Sequence, residues 1–260
     1  MSTLTQNAQL LLQNKKAQVE ALNEVGFTEV TMETPLSEIA GYMKWCGGLR
    51  DLALACVKKQ TGEKCFFTGE EWEAMSANEH SKYVKSGVRI RAEGKQFVIA
   101  RENCTTDTAT KFTWGPTNED IAGLKNYADT NVGVYEDFDY RANTDAIIAQ
   151  GTAQGTTHPA AEAANSYTTC KKSTEGVDDP WSWGLPTVPM VMMFYRYRTQ
   201  LNSFLNTYFG SSYQLTSDWH WTSNEWSSAG AWNVYVGSGN VYYHGHYEGY
   251  SLYVRAVSAI

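Results

Sequence analysis

From Ser173 to Ile260 the chain contains no lysine, and after Cys170 it contains no cysteine. Five scattered cysteines (Cys46, Cys56, Cys65, Cys104 and Cys170) are odd in number and form no C-x-x-C pair. That pattern argues against a disulfide framework and predicts free, partly buried thiols. The histidines (His80, His158, His220, His244 and His246) have no zinc-type spacing relative to those cysteines. No apolar run approaches the roughly 20 residues needed to span a bilayer as a helix. The opening "MSTLTQNAQLLLQNKK" has neither a basic start nor a small-residue cleavage site, so no secretory leader is expected. A net charge of −7 makes an electrostatic grip on nucleic acid or anionic lipid a poor expectation. G-x-S-x-G, Walker and dinucleotide fingerprints are all missing, and neither "SWG" nor "SDWH" makes a triad.

What is present divides by periodicity. Leu4, Leu11, Leu12, Val19 and Leu22 recur at helical spacing and stop at Gly26, which predicts either a surface helix or a short oligomerising one. A second helix is expected from Pro35 to about Lys59. Thr68 and Glu71 are spaced as a capping box. From Val88 the pattern changes to alternation, turns at Glu93-Gly94-Lys95 and resumes at Phe97 and Ile99, which predicts a two-stranded hairpin. A boundary placed near Ser86 separates a smaller, mainly helical region (1–85) for attachment or oligomerisation from a domain over 86–260. Short helices are expected in "DYRANTDAIIAQG" and, led by Pro159, in "HPAAEAANSY". The clearest helix is "MVMMFYRYRTQLNSFLNTYFG", with Met190, Phe194, Tyr197, Leu201, Phe204 and Leu205 as its core stripe. Beyond Gly210 come short strands: "WHWTSNEW", "AWNVYVG", "NVYYH" and "YSLYVRAVSA", with Gly237-Ser238-Gly239-Asn240 as a tight connection. The fold class is therefore α+β.

The last of these strands lie in "GNVYYHGHYEGYSLYVRAV", dense in Tyr, His and Gly. Tyr gives stiff amphipathic contact area and Gly lets neighbours adjust, so the run has the composition of a recognition surface. Six of the nine tryptophans fall between Trp181 and Trp232, among few charges. "WTSNEW", "AW", "GNV" and "YVRAVSAI" occur in an order that resembles C-type lectin-fold variable proteins of diversity-generating retroelements. The likeness covers Trp219 to Val257, with an echo back to about Ala142 in "ANTDAIIAQG…HPAAEAA…GLPTVP". "YVKSGVRIRAEGKQFVIA" is similar to phage tail proteins of gut bacteria.

The resemblance implies a C-type lectin-like fold in 86–260, with a variable region at about 217–257. In such proteins a reverse transcriptase miscopies template adenines and the rewritten surface binds a ligand. It implies a non-enzymatic receptor binder without cofactor, carried on a phage tail tip for host recognition. The implied partners are a bacterial cell-surface receptor, protein or glycan, and other tail proteins; the apolar Leu11, Leu12, Val19 and Leu22, with the gain from holding several weak sites together, lead us to expect a homotrimer through the N-terminal helix. Location would be the virion or the bacterial surface, without membrane insertion. A bacterial or prophage-encoded adhesin of the same fold and a structural tail component remain as alternatives.

Strand alternation places Asn233 and Tyr235 opposite Val234 and Val236. Joined by His220, Tyr242, His244, His246, Tyr247, Tyr250 and Leu252, they form the expected contact surface. A solvated polar face that binds nothing is the plainer alternative. Trp221 and Trp232 are expected in the core, and Glu225 and Arg255 are expected to pair and fix the register of the sheet. Formylglycine-generating enzymes share the lectin-like fold, but they depend on C-terminal cysteines that this chain lacks. The calcium-dependent sugar signature is also missing: "AWNVY" keeps Trp-Asn without the Asp. His244-Gly245-His246, with Glu248 as the nearest third ligand, is a weak metal signal.

Overall fold

The computed structural model describes residues 48–116, 118–127, 131–245 and 250–260, together with 13, 15–17, 19–20 and 31–33. Helices make up 31% and strands 27%, which fits the α+β expectation. Among the described residues no helix is long and apolar enough to cross a membrane.

Two compact units are present, 1–52 with 90–97, and 53–89 with 98–260. In the first, the described part of the N-terminal segment is helical at Gln13, Lys15–Ala17, Val19 and Glu20, and Lys16 pairs with Glu20 one turn on. Leu4, Leu11, Leu12 and Leu22 lie outside the described residues. The expected hairpin turn is formed, with both Glu93 and Gly94 at positive φ (53° and 69°). Such a turn matches the right-handed twist of the strands it joins.

The strands β1 (Leu49–Lys58), β2 (Lys64–Phe67), β3 (Tyr83–Ala92), β4 (Lys95–Ala100) and β8 (Val257–Ser258) form one sheet in the order β2-β1-β3-β4-β8. The strands β5 (Trp219–Ser227), β6 (Gly230–Tyr235) and β7 (Asn240–Gly245) form a second, in sequence order. The expected helix over Pro35–Lys59 is thereby corrected: 34–47 lie outside the described residues, and Leu49–Lys58 is strand. "LRDLALACVK" favours helix by composition, but Ala53 to Val57 are buried without a break as a central strand. Burial on both faces overrides a weak propensity. Within 48–85 the chain therefore supplies strands and two short helices rather than a mainly helical region. Those helices, α1 (Gly69–Glu73) and α2 (Ala77–His80), each carry a full capping box, Thr68 with Glu71 and Ser76 with Glu79.

Position 86, the expected boundary, falls inside β3. Ser86 is fully buried and accepts a hydrogen bond from the Thr169 hydroxyl at 2.7 Å. Next to it, a Cβ on Gly87 would lie 2.0 Å from the Ile99 carbonyl oxygen, so the strand contact there requires glycine.

After a short turn of helix, α3 (Asn131–Val134), come α4 (Tyr140–Gln154), α5 (Pro159–Asn165, with proline in its first turn) and α6 (Lys172–Glu175). The long helix expected after Pro189 is two: α7 (Val188–Arg196) and α8 (Arg198–Tyr208), broken at Tyr197. Of its stripe, Met190, Phe194, Tyr197, Leu201 and Leu205 are buried and Phe204 is half-buried.

The last segment closes the domain: Val98 and Ile99 lie opposite Ser258 and Val257. Cys104 N–H donates to Val254 O at 2.8 Å, and Gly184 and Val257 exchange two backbone hydrogen bonds. The strand itself is shorter than "YSLYVRAVSA" suggested, because Leu252 and Tyr253 pair instead as isolated bridges with Phe112 and His220.

Arg255 does not meet Glu225. Its guanidinium is buried and donates to the carbonyls of Ala100 (2.7 Å), Arg101 (2.5 Å) and Tyr213 (2.9 Å) and to Asn103 Oδ1 (3.4 Å). Burial pulls its pKa down to about 10, still charged at neutral pH. Long polar side chains find backbone acceptors as readily as opposite charges, and alternation along strands does not reveal which. Arg255→Met takes the donor from four acceptors at once, the buried Ala100 carbonyl and three half-buried ones. It is expected to lower stability by about 3 kcal/mol or more, read as a fall in the urea midpoint without a change of slope.

Candidate functional site: an aromatic face at the end of the second sheet

β5 and β6 pair with Trp219 opposite Tyr235, His220 opposite Val234 and Trp221 opposite Asn233. β6 and β7 pair with Asn233 opposite Tyr242 and Ala231 opposite His244. Opposed residues share a face. One face therefore carries Trp219, Trp221, Asn233, Tyr235, Tyr242 and His244, and the other carries His220, Trp232, Val234 and Tyr243.

The centre of both faces is covered. α7 packs against β5 and β6. The 112–114 segment is tied to β5 by two buried indoles: Trp114 Nε1 donates to Thr222 O at 2.8 Å and Trp221 Nε1 to Phe112 O at 2.7 Å. Residues 220 to 225 are buried in succession as a result. This overturns three expected contact residues. His220 and Asn233 have no exposed surface and Leu252 is only 7% exposed. The sequence reading assumed one solvated face, whereas this sheet opens only at its end.

At that end Tyr242 (51%), Tyr250 (41%) and Tyr243 (36%) are the exposed large side chains, with Tyr235 and His244 half-buried beside them. His246 and Tyr247, with Glu248, lie outside the described residues. Trp219, which the sequence reading left out, joins the group: its ring lies 5.3 Å from Tyr235 and 5.7 Å from His244. Strand alternation, which puts Trp219 on the face of Trp221, gave no sign that it would stay exposed. His244 also contacts Tyr242 (5.2 Å) and Tyr250 (4.3 Å). Trp226, Tyr243 and Tyr242 form a parallel stack with centroid spacings of 3.9 and 5.1 Å. Trp219, Asn240, Val241, Tyr242 and His244 line an open concavity of about 440 Å³.

No lining residue carries a formal charge, and burial lowers the His244 pKa, which favours the neutral ring. Asn233 Oδ1 and His244 Nδ1 are buried, and neither has a hydrogen-bond partner among the described residues. The arrangement suits stacking and neutral hydrogen bonding. Among the described residues no group of three or more His, Cys, Asp or Glu is placed to hold a metal ion.

The four expected frame residues are buried: Trp221, Glu225, Trp232 and Arg255. Among the described residues the Glu225 carboxylate accepts only long bonds from Ile121 N–H (3.3 and 3.4 Å). Burial raises its pKa to about 7, the Ile121 amide opposes this, and Asp120 and Glu119 add to it. His220 is the converse: burial holds it down to about 4, although Nδ1 lies 3.0 Å from Asp218 O.

Comparison with protein-family models, curated proteins and solved structures found no match.

The two buried groups act on stability with opposite signs. Folded Glu225 binds its proton more tightly than the unfolded chain does, so its contribution falls as pH rises from the ordinary carboxylate range to about 7. Folded His220 binds its proton less tightly, so its contribution rises between about 4 and the ordinary histidine range. Glu225→Gln isolates the first effect. At pH 8 the variant is expected to be more stable than the parent, by up to an order of 3 kcal/mol. The gain should shrink as pH falls below 7, as measured by urea unfolding at a series of pH values.

Proposed function

We propose that this chain is a non-enzymatic receptor-binding protein. In this reading its C-terminal portion has a C-type lectin-like fold of the diversity-generating retroelement group and serves host recognition at a phage tail tip. One observation carries the reading: exposed Tyr242, Tyr243 and Tyr250 are mounted on a backbone ladder fixed by buried Trp114, Trp221 and Arg255. A solvated face of a monomer has no need of so much aromatic area without formal charge. The pairing of β4 with β8, which brings the ends of the domain together, supports the lectin-like assignment. The partner is a receptor on a bacterial surface. Association of the full chain as a trimer would raise the effective concentration of weak sites.

Separate failure of surface and frame tests this. Tyr242→Ala and Tyr250→Ala are expected to change unfolding by no more than about 0.5 kcal/mol. They should weaken binding of the labelled protein to a panel of bacterial isolates by about 2 kcal/mol where the ring is a hot spot. Trp232→Ala is expected to cost on the order of 3–5 kcal/mol of stability. Tyr242→Ala binding like the parent to every isolate that the parent binds would remove the reading. The neighbouring DNA gives a second test: an adenine-biased near-copy of the last codons beside a reverse-transcriptase gene is expected there.

A further inference from the structure

Two cysteines face each other across the first sheet. In the pairing of β1 with β2, Cys56 lies directly opposite Cys65. Lys58 N–H donates to Glu63 O at 2.9 Å in the same register. Bonding alternates along an antiparallel pair, so Cys56 and Cys65 also form a hydrogen-bonded pair. Such residues hold their Cα atoms about 5.5 Å apart, with both side chains on one face. A disulfide spans Cα separations of about 4.4–6.8 Å, so the backbone here is placed for one. Both thiols are free, and Cys65 Sγ rests 3.7 Å from the Glu63 carbonyl oxygen.

The two sulfurs differ in access. Cys56 has no exposed surface and packs with Leu54 and Trp72, whereas Cys65 is half-buried on the edge strand of the sheet. An oxidant therefore meets Cys65 first. Burial pushes both thiols up, Cys56 to about 12, against the opposing pull of Lys85 on Cys56 and of Lys58 on Cys65. A thiol of high pKa attacks slowly and is also a poor leaving group, so a bond between these two forms slowly and resists reduction. Cys104 and Cys170 are buried as well, but both lie outside the strands.

We infer that Cys56 and Cys65 are a reversible disulfide site, oxidised by a small-molecule disulfide, that locks β2 onto β1. The Cys65 thiolate attacks one sulfur of the small disulfide, whose S–S bond breaks and releases one small thiolate. Cys56 gives its proton to solvent, attacks Cys65 Sγ and expels the second small thiolate. Two protein thiols are thereby oxidised, and one small disulfide is reduced to two thiols. The bond acts on the least anchored strand of the sheet. β2 has only four residues, all half-buried, and leads directly into the Thr68 capping box of α1. Trp72 of α1 packs in one cluster with Cys56 and Cys65. Tying Cys65 to Cys56 therefore fixes the sheet edge and the start of α1 together. The inference does not depend on the reading of the aromatic face.

Peptide mapping of the full chain tests it. The protein is incubated with oxidised glutathione, quenched with N-ethylmaleimide and digested with trypsin without reduction. Trypsin separates the two cysteines, leaving Cys56 in "DLALACVK" and Cys65 in "CFFTGEEWEAMSANEHSK". They are expected as one linked species, two hydrogens lighter than the pair, which dithiothreitol splits. The oxidised protein is expected to melt about 5 °C above the reduced one, with slower hydrogen exchange at the β2 amides. Cys65→Ser should abolish both the link and the shift. Should that variant fail to fold, the parent's peptide map and its melting before and after dithiothreitol still decide. Glutathione held on Cys65 while Cys56 stays free overturns the inference. So does a link through Cys46, Cys104 or Cys170, a dimer on a non-reducing gel, or a Cys56–Cys65 bond that leaves the melting temperature unchanged.

Discussion

The buried guanidinium of Arg255 is the constraint on which the C-terminal half depends. Its planar donors reach Ala100 at the end of β4, Arg101 and Asn103 just beyond it, and Tyr213 after α8. A lysine, with one compact ammonium, could not serve acceptors spread in this way. Around that point the chain from Leu252 to Ser258 is handed from partner to partner: Phe112, Trp219 and Trp221, Cys104, Ala100, then Gly184. Each step fixes the next, so the position of Tyr250 at the open end follows from a charge buried five residues later. Burying a cation is unfavourable unless its donors are satisfied, and satisfying them brings together segments far apart in sequence.

Hairpins, caps and helix starts were legible in the sequence because they are written locally. Glu93-Gly94, the Thr68 box and Pro159 each act within a few residues. β1 was not legible: "ALACV" has no alternation to show, since both of its faces are covered. The contact surface was half legible for a related reason. Alternation correctly put Asn233, Tyr235, Tyr242 and His244 on one face, but it could not tell that the 112–114 segment buries the centre of that face. Asn233 and Leu252 were lost to that cover, His220 is buried on the opposite face, and Trp219, at the start of its strand, escaped.

Titratable groups are distributed unevenly between frame and surface. Glu225 and His220 are buried within β5 with pKa values displaced toward their neutral forms, while the concavity at the end of the sheet is lined by neutral side chains. Desolvation is thus concentrated where tryptophan packing can offset it. The exposed rings carry almost none of that burden, and this is why exchanging one of them is expected to leave the fold undisturbed.

Tryptophan as the frame residue has a consequence in the genetic code. It has a single codon, UGG, which contains no adenine. Tyrosine, histidine and asparagine codons all contain at least one. The indoles of Trp114 and Trp221, which pin the 112–114 segment to β5, are therefore beyond the reach of any process that rewrites only adenines. Tyr242, His244 and Tyr250 lie within its reach. Of these five residues, the two that pin the backbone are ones such a process must leave alone, and the three at the open end of the sheet are ones it is free to change.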